Sequence, residues 1–198
     1  TDTTFTCTVN GRFVMLSYND QARQAYSTDN GLTWNYANIS ISNYSERLAY
    51  GNGFFITNLG IYSTDNGFTW NYGSIPQLDY FPIAYGNGVF VAGGYEIQAY
   101  STDNGLTWNL VANTLPGEWT GVTFRNGVFV MVSDYPSSQA YSTDGITWNF
   151  ATKILGTQAW NDVAYGDFTY TSSPSDSVSL VVPPLQLTNR VFSSDVYP

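Results

Sequence analysis

The sequence of 198 residues contains no histidine and a single cysteine, Cys7. Without imidazole ligands or a second thiol, the chain can build neither the common Cys/His zinc sites nor an internal disulfide. Cys7 lies in the alternating stretch Thr-Phe-Thr-Cys-Thr-Val, and we interpret it as a small buried apolar residue, because a nucleophilic thiol would lack a histidine base. We therefore expect no metal centre and no cofactor.

Basic residues are also scarce: the chain has six Lys and Arg against 15 Asp and Glu, which gives a formal net charge of -9. So few cations cannot form the positive surface that binds phosphate backbones, and nucleic-acid binding is not expected. No apolar run approaches the roughly 20 residues that a membrane-spanning helix needs. We expect no membrane insertion.

Aromatic residues are abundant: the chain has 16 Tyr, 12 Phe and 6 Trp, while only 11% of its residues are charged. Aromatic side chains favour β-strands, and the helix-favouring residues Lys, Glu and Met are few. The composition therefore predicts an all-β protein.

A motif of ten or eleven residues occurs four times, and its first copy reads Ala-Tyr-Ser-Thr-Asp-Asn-Gly-Leu-Thr-Trp-Asn. The copies occupy residues 25–35, 61–71, 99–109 and, one residue shorter, 140–149. Their tryptophans are 36, 38 and 40 residues apart. Such a period indicates several stacked copies of one supersecondary unit.

A second motif, Asn-Gly between apolar residues, precedes each copy, at residues 9–14, 50–56, 85–91 and 124–130. A fifth, degenerate copy occupies residues 165–168, and an irregular, proline-containing stretch follows it. Residues 191–195, Val-Phe-Ser-Ser-Asp, then echo Ala-Tyr-Ser-Thr-Asp. We therefore count four full repeat units and a fifth that is degenerate or incomplete.

Each unit is predicted to be an antiparallel meander of four strands, A to D. Asn-Gly between apolar residues predicts a tight A–B turn, because both of its central positions need a positive φ. Strand C carries Ala-Tyr-Ser, and strand D is predicted to carry x-Thr-Trp-Asn. The C–D turn falls at Asp-Asn-Gly, where the carboxylate can accept backbone N–H groups and Gly takes the left-handed position.

A meander of about 40 residues cannot bury both faces alone, and radial stacking of such sheets protects nearly all edges. The prediction is one small β-propeller domain over residues 1–198 with about five four-stranded blades. Its units are residues 1–37, 38–73, 74–112, 113–151 and 152–198. A linear β-solenoid is the alternative, although its coils are usually shorter than this unit.

The pattern Ser-x-Asp-x-Gly-x-Thr-Trp at residues 27–34, 63–70 and 101–108 resembles the Asp box, or bacterial neuraminidase repeat. The fourth copy, at residues 142–148, departs from it by lacking the residue before Gly. The resemblance implies a propeller hairpin and leaves function open, since such repeats occur in sialidases, other glycosidases, sorting receptors, assembly factors and viral surface proteins. It also implies structural roles for Asp29, Trp34, Asp65, Trp70, Asp103, Trp108, Asp144 and Trp148.

The resemblance raises the question of a sialidase-like glycosidase. Sialidases resemble one another in binding a carboxylate with three arginines and in using a Tyr/Glu pair as nucleophile and base. No unit of this chain carries such an arginine motif. Two-carboxylate hydrolysis needs acids within about 5 to 10 Å of each other. No spacing singles out a pair among Asp20, Glu96, Glu118 and Asp134, so we expect no enzyme activity.

Candidate binding residues lie on the B–C and D–A loops, because a meander places these loops opposite the uniform A–B and C–D turns. Variable loops on a rigid scaffold commonly carry function. The equivalent aromatics Tyr80, Trp119 and Trp160 are interpreted as framework. The predicted ligand-binding residues, aromatic and acidic side chains of a kind that stacks on sugars and bonds hydroxyls, are Tyr18, Asp20, Tyr95, Glu96, Asp134 and Tyr135.

Two classes of function fit these features. The first is a non-catalytic virion component, such as a phage capsid-decoration or tail-fibre protein, because near-identical Tyr-Ser-Thr-Asp-Asn-Gly repeats of low charge look like those proteins. Its partners would be other virion proteins, copies of itself or a host-surface glycan, at the virion surface or outside the cell. The alternative is a secreted glycan-binding lectin, and a glycosidase is third.

Overall fold

The computed structural model describes residues 5–9, 12–16, 23–40, 47–73, 82–152, 155 and 158–166. The chain divides into residues 1–165 and 166–198, and only Gly166 of the second unit is described, so the fold is that of residues 1–165. The described residues do not include Tyr18, Asp20, Tyr80 or the motif-like segment at residues 191–195.

The described part of the chain contains four antiparallel four-stranded sheets, each a meander in sequence order, which we call blades one to four. Blade one comprises β1 (Phe5–Val9), β2 (Arg12–Leu16), β3 (Arg23–Ser27) and β4 (Asn35–Ser40). Blade two comprises β5 (Leu48–Gly51), β6 (Phe54–Thr57), β7 (Ile61–Ser63) and β8 (Asn71–Tyr72). Blade three comprises β9 (Ile83–Gly86), β10 (Val89–Gly94), β11 (Ile97–Ser101) and β12 (Asn109–Leu110). Blade four comprises β13 (Trp119–Arg125), β14 (Val128–Ser133), β15 (Ser138–Ser142) and β16 (Asn149–Phe150).

The A–B turns of blades two to four have the predicted geometry. Both central residues of each turn have positive φ: Asn52 and Gly53 (49° and 86°), Asn87 and Gly88 (48° and 83°), and Asn126 and Gly127 (50° and 82°). This pair of left-handed residues matches the twist of the flanking strands, so the Asn-Gly motif predicted the hairpins correctly.

The fourth strands begin later than predicted. In every blade the strand starts at the Asn that follows Trp, so the Thr and Trp of the motif belong to the turn. The physical reason is local, because the backbone N–H of Thr33 bonds to the Asp29 carboxylate instead of to a strand. The predicted strand x-Thr-Trp-Asn was wrong over its first three residues.

Successive blades pack through their first strands and through the Asp-box turns. β1 contacts β5, β5 contacts β9, and β9 contacts β13. The box glycines of blades two to four lie against the second strand of the preceding blade. A β-carbon there would overlap Val14 from Gly67, Ile56 from Gly105, and Val91 from Gly145. This is the blade packing of a β-propeller, as the repeat predicted.

The hydrophobic cores lie between blades rather than within them. One cluster joins Val14 and Leu16 of blade one to Phe55, Ile61 and Trp70 of blade two. The other two clusters continue this pattern from blade two to three and from blade three to four. Because each sheet buries its faces against its neighbours, no blade has an independent core.

Residues 158–165 lie beside blade four, where a fifth unit is predicted to begin. The Thr120 hydroxyl donates to the Trp160 carbonyl, and the Arg125 guanidinium lies 5.2 Å from the centre of the Tyr165 ring. Tyr165 and Arg125 occupy the positions in the repeat that Phe124 and Gly86 occupy one unit earlier. The repeat continues to this point, although no strand forms among residues 158–166.

Candidate functional site

The Asp and Ser side chains of each box close its C–D turn. In the first box, Asp29 accepts the Thr33 N–H at 2.9 Å and the Thr33 hydroxyl at 2.6 Å. Ser27 Oγ donates to Asp29 at 2.8 Å and accepts the Gly31 N–H at 2.9 Å. The second and third boxes repeat these four bonds. The carboxylates serve their own turns, as the resemblance implied.

The box serines are structural residues that the sequence reasoning missed. All four are buried: Ser27, Ser63, Ser101 and Ser142. Each hydroxyl ties the end of strand C to both the Asp and the Gly of the turn. The available signal was that this position never varies between the four copies.

The fourth box reaches the same turn with one residue fewer. Asp144 Oδ1 accepts the N–H groups of Ile146 and Thr147 at 2.8 and 2.7 Å. In the other boxes the Trp indole N–H donates to the carbonyl of the box glycine. The buried Trp148 Nε1 has no hydrogen-bond partner, so the box that lacks the residue before Gly also lacks the bond from indole to glycine.

These hydrogen bonds lower the pKa of the box aspartates. Bonds from the Thr33 hydroxyl, the Thr33 N–H and Ser27 lower the pKa of Asp29 from 3.8 to about 2. At Asp65, Asp103 and Asp144, burial raises the pKa, but the hydrogen bonds together outweigh it and the net shift is downward. The ionised form is therefore the one that stabilises each turn.

We predict that acid weakens the first box between about pH 4 and pH 2. A lowered folded-state pKa contributes stability that is fully present above the unfolded value near 3.9 and is lost as the pH falls through the folded value. Melting temperatures of wild type and Asp29→Asn, measured from pH 5 to pH 2, should differ most at pH 5 and converge toward pH 2. A difference that stays constant over this range would contradict the prediction.

The box tryptophans differ in burial although their motif is the same. Trp70 and Trp148 are 2% and 6% exposed, as expected for side chains that pack between blades. Trp34 is 36% exposed and contacts Phe13 of its own blade, and its neighbour Leu32 is 83% exposed. Trp34 does not pack between blades, because within the described residues blade one has no preceding blade to cover its box.

The turns and loops separate to opposite ends of the blades, as predicted. Asn52 of an A–B turn donates to Asn104 of the neighbouring C–D turn at 2.7 Å. At the other end, three loops of blades three and four are joined by backbone bonds. Glu96 N–H donates to Gly117 O at 2.8 Å, and Glu118 N–H donates to Tyr135 O at 2.7 Å. Variable loops therefore meet at one end.

We call the surface formed by Tyr95, Glu96, Glu118, Asp134 and Tyr135 the tyrosine surface. Tyr95 pairs with Glu118 in an antiparallel bridge, and Asp134 N–H donates to Glu118 O at 3.0 Å. Tyr95 and Tyr135 are 65% and 75% exposed. The structure brings together the four predicted residues that it describes and adds Glu118, whose backbone links the two halves.

Buried side chains support the tyrosine surface from below. Gln98 donates to Leu115 O at 3.0 Å and accepts Leu115 N–H at 2.8 Å, which fixes the loop before Glu118. Trp119 is 1% exposed and donates to the same carbonyl at 3.2 Å. Its interpretation as framework is confirmed. The exposed tyrosines thus stand on loops that are bonded to the core.

The chemistry available at this surface is binding rather than metal coordination. Among the described residues, no three His, Cys, Asp or Glu side chains are placed to hold a metal ion. The same part of the chain contains no helix with the length and apolar character needed to cross a membrane. What the surface offers is two aromatic rings, their hydroxyls and three carboxyl groups.

The comparison with protein families agrees with the box geometry. The model described as "BNR/Asp-box repeat" matches residues 25–36 and 99–110. The chain carries BNR/Asp-box repeats. The second and fourth boxes fall outside these matches, yet they make the same kind of Ser–Asp network. No curated protein matches the chain.

Solved structures with similar folds show that the Asp-box chain is a β-propeller. "YCF48 bound to D1 peptide" matches with a TM-score of 0.56 and 17% identity, over 78% of this chain and 55% of that one. The "Nidogen/Laminin Complex" matches with a TM-score of 0.62 and 13% identity, over 80% of this chain and 66% of that one. A GH74 enzyme of Niastella koreensis matches with a TM-score of 0.53 and 22% identity, over 70% and 22%. The chain thus spans little more than half the length of the first of these proteins. Sequence identities of 13 to 22% show that the fold is shared and show nothing about function.

Proposed function

We propose that this Asp-box propeller is a non-catalytic binding protein that presents the tyrosine surface to a protein partner. The observation that carries the proposal is the exposure of Tyr95 and Tyr135, 65% and 75%, on loops whose backbones are bonded together. Tyrosine supplies a large rigid contact area at a low cost in conformational entropy, and it is enriched where proteins bind one another.

Fixed loops favour this role because binding then costs little ordering of the protein. Two similar propellers, YCF48 with a D1 peptide and nidogen with laminin, are precedents for protein binding by this fold. The finer hypothesis of a virion component, its location at the virion surface or outside the cell, and the lectin alternative stay predictions. So does the absence of catalysis.

A random peptide array and a glycan array, probed with the full chain, test the proposal. Peptides bound by wild type should lose about thirtyfold or more in affinity with Tyr95→Ala/Tyr135→Ala, because central aromatic contacts each contribute about 1 kcal/mol or more. Tyr72→Ala is the matched control, since Tyr72 is 63% exposed on the edge strand β8. It should leave binding unchanged.

Three results would overturn the proposal. Equal losses in the double variant and the Tyr72 control would show that the tyrosine surface has no special role. Binding to glycans alone, lost in the double variant, would favour the lectin. Turnover of a fluorogenic sialoside by the purified chain would disprove the non-catalytic assignment.

A further inference from the structure

We infer, in a step that rests on the proposed function, that the partner segment contacting the tyrosine surface is a cationic peptide carrying lysine or arginine. The first observation is the charge beside the rings. Glu96 and Glu118 are exposed and Asp134 is half-buried. In the part of the chain that the structure describes, none of the three carboxyl groups forms an ion pair.

The second observation is the exposure of the two rings themselves. A lysine or arginine over an aromatic face gains cation–π attraction while its charge stays near water. This chain already uses that contact within the fold. The Arg12 guanidinium lies 5.0 Å from the centre of the Phe68 ring, and that of Arg125 lies 5.2 Å from Tyr165.

The third observation is the net charge of the protein. Arg12 and Arg125 flank the A–B turns, at the end of the blades opposite the tyrosine surface, whereas Arg23 and Arg47 lie at the same end as that surface but in blades one and two. The chain as a whole has a net charge of -9. A cationic segment is therefore attracted from a distance, and the rings and carboxyl groups then hold it at short range.

Other ligands fit this surface less well. Phosphate, sulfate or sialic acid would face three carboxyl groups with no described cation beside them. A neutral sugar could stack on the rings, but its affinity would not depend on salt or on the carboxyl charges. Salt and charge dependence thus distinguish a cationic peptide from a neutral glycan.

The test uses fluorescence anisotropy with four labelled peptides of equal length on a Gly/Ser background, containing respectively arginine, lysine, glutamate or no charged residue. The full chain should bind the arginine and lysine peptides and leave the other two unbound. Raising the salt from about 50 to about 300 mM should weaken that binding severalfold. Glu96→Gln/Glu118→Gln/Asp134→Asn should weaken it about tenfold, since three exposed ion pairs are lost.

The matched control is Glu96→Asp/Glu118→Asp/Asp134→Glu, which keeps all three charges at the same positions and should retain binding within about threefold. Circular dichroism confirms that each variant is folded. If Tyr95→Ala/Tyr135→Ala abolishes binding of some ligand that responds to neither salt nor the amide variant, the cationic partner is wrong and the proposed binding surface stands. If no peptide or glycan responds to the tyrosine substitutions, both are wrong.

Discussion

Urea unfolding of Gly86→Ala should show a loss of about 3 kcal/mol or more relative to wild type, with a melting temperature roughly 10 °C lower. Gly86 ends β9, and the Phe124 ring of the next blade lies directly on its backbone. A β-carbon there would overlap the ring at Cγ, Cδ1 and Cδ2. The ring also packs against Phe129 of blade four, with 4.5 Å between the ring centroids, so displacing it disturbs that contact.

The loss would come from packing alone. Gly86 does not have a positive φ, so alanine is not strained there, and a glycine-to-alanine change in a permitted conformation ordinarily stabilises slightly through the unfolded state. Gly166→Ala is the matched control. It alters the same Tyr-Gly motif, and among the described residues no atom lies within 4 Å of a β-carbon placed at Gly166, so its effect should stay within about 0.5 kcal/mol.

A double-mutant cycle tests the assigned cause. In a Phe124→Ala background, Gly86→Ala should lower the free energy of unfolding far less than it does in wild type, because the ring that the new β-carbon would overlap is absent. Equal losses of unfolding free energy in both backgrounds would refute the interpretation that the aromatic ring of one blade packs on the glycine backbone of the blade before it. Equal effects of Gly86→Ala and Gly166→Ala would refute it as well.

Trp70→Ala is expected to lower the free energy of unfolding by about 3–5 kcal/mol, as is usual for truncation of a buried aromatic. Trp70 is 2% exposed among Val14, Phe55 and Ile61, and its indole donates to Gly67 O at 3.0 Å. Its removal would leave a cavity that belongs to two blades at once. Urea unfolding at about 25 °C measures the change.

Trp34→Ala provides an internal control with the same motif and the same hydrogen bond, from the indole to Gly31 O at 3.2 Å. Because Trp34 is 36% exposed, its truncation should cost about 1–2 kcal/mol. Equal losses for the two tryptophans would mean that the first box is covered in solution. Repeating the unfolding at several protein concentrations would then show whether a second copy covers it.

The local parts of this fold were predictable because their causes lie within a few residues of one another. The Asn-Gly pair adopts positive φ at both positions of each described turn, and the Asp carboxylate captures the Thr N–H four residues later in three of the boxes. The same capture explains the one local error, because it keeps Thr33 and Trp34 out of the strand that the aromatic pattern predicted.

The candidate binding surface was predictable only in part. Tyr95, Glu96, Asp134 and Tyr135 stood out because they have no equivalents in other units and lie on variable loops. The sequence marked Glu118 only as a possible hydrolytic acid. Its bonds to Tyr135 and Asp134 extend the β13–β14 hairpin of its own blade. Its bridge to Tyr95 forms because blade four stacks against blade three, and no spacing along the chain predicts that contact.

By itself, the sequence determined the unit: four strands, two kinds of turn, the end of the blade at which variable loops gather, and the need to stack. These follow from backbone preferences and short-range hydrogen bonds, which each copy carries in its own residues. Two features depend on how the blades stack: which copies of one motif are buried, as with Trp70 against Trp34, and which loop of blade three meets Glu118. Burial and loop contacts depend on the neighbouring blade, and identical motifs differ in their neighbours.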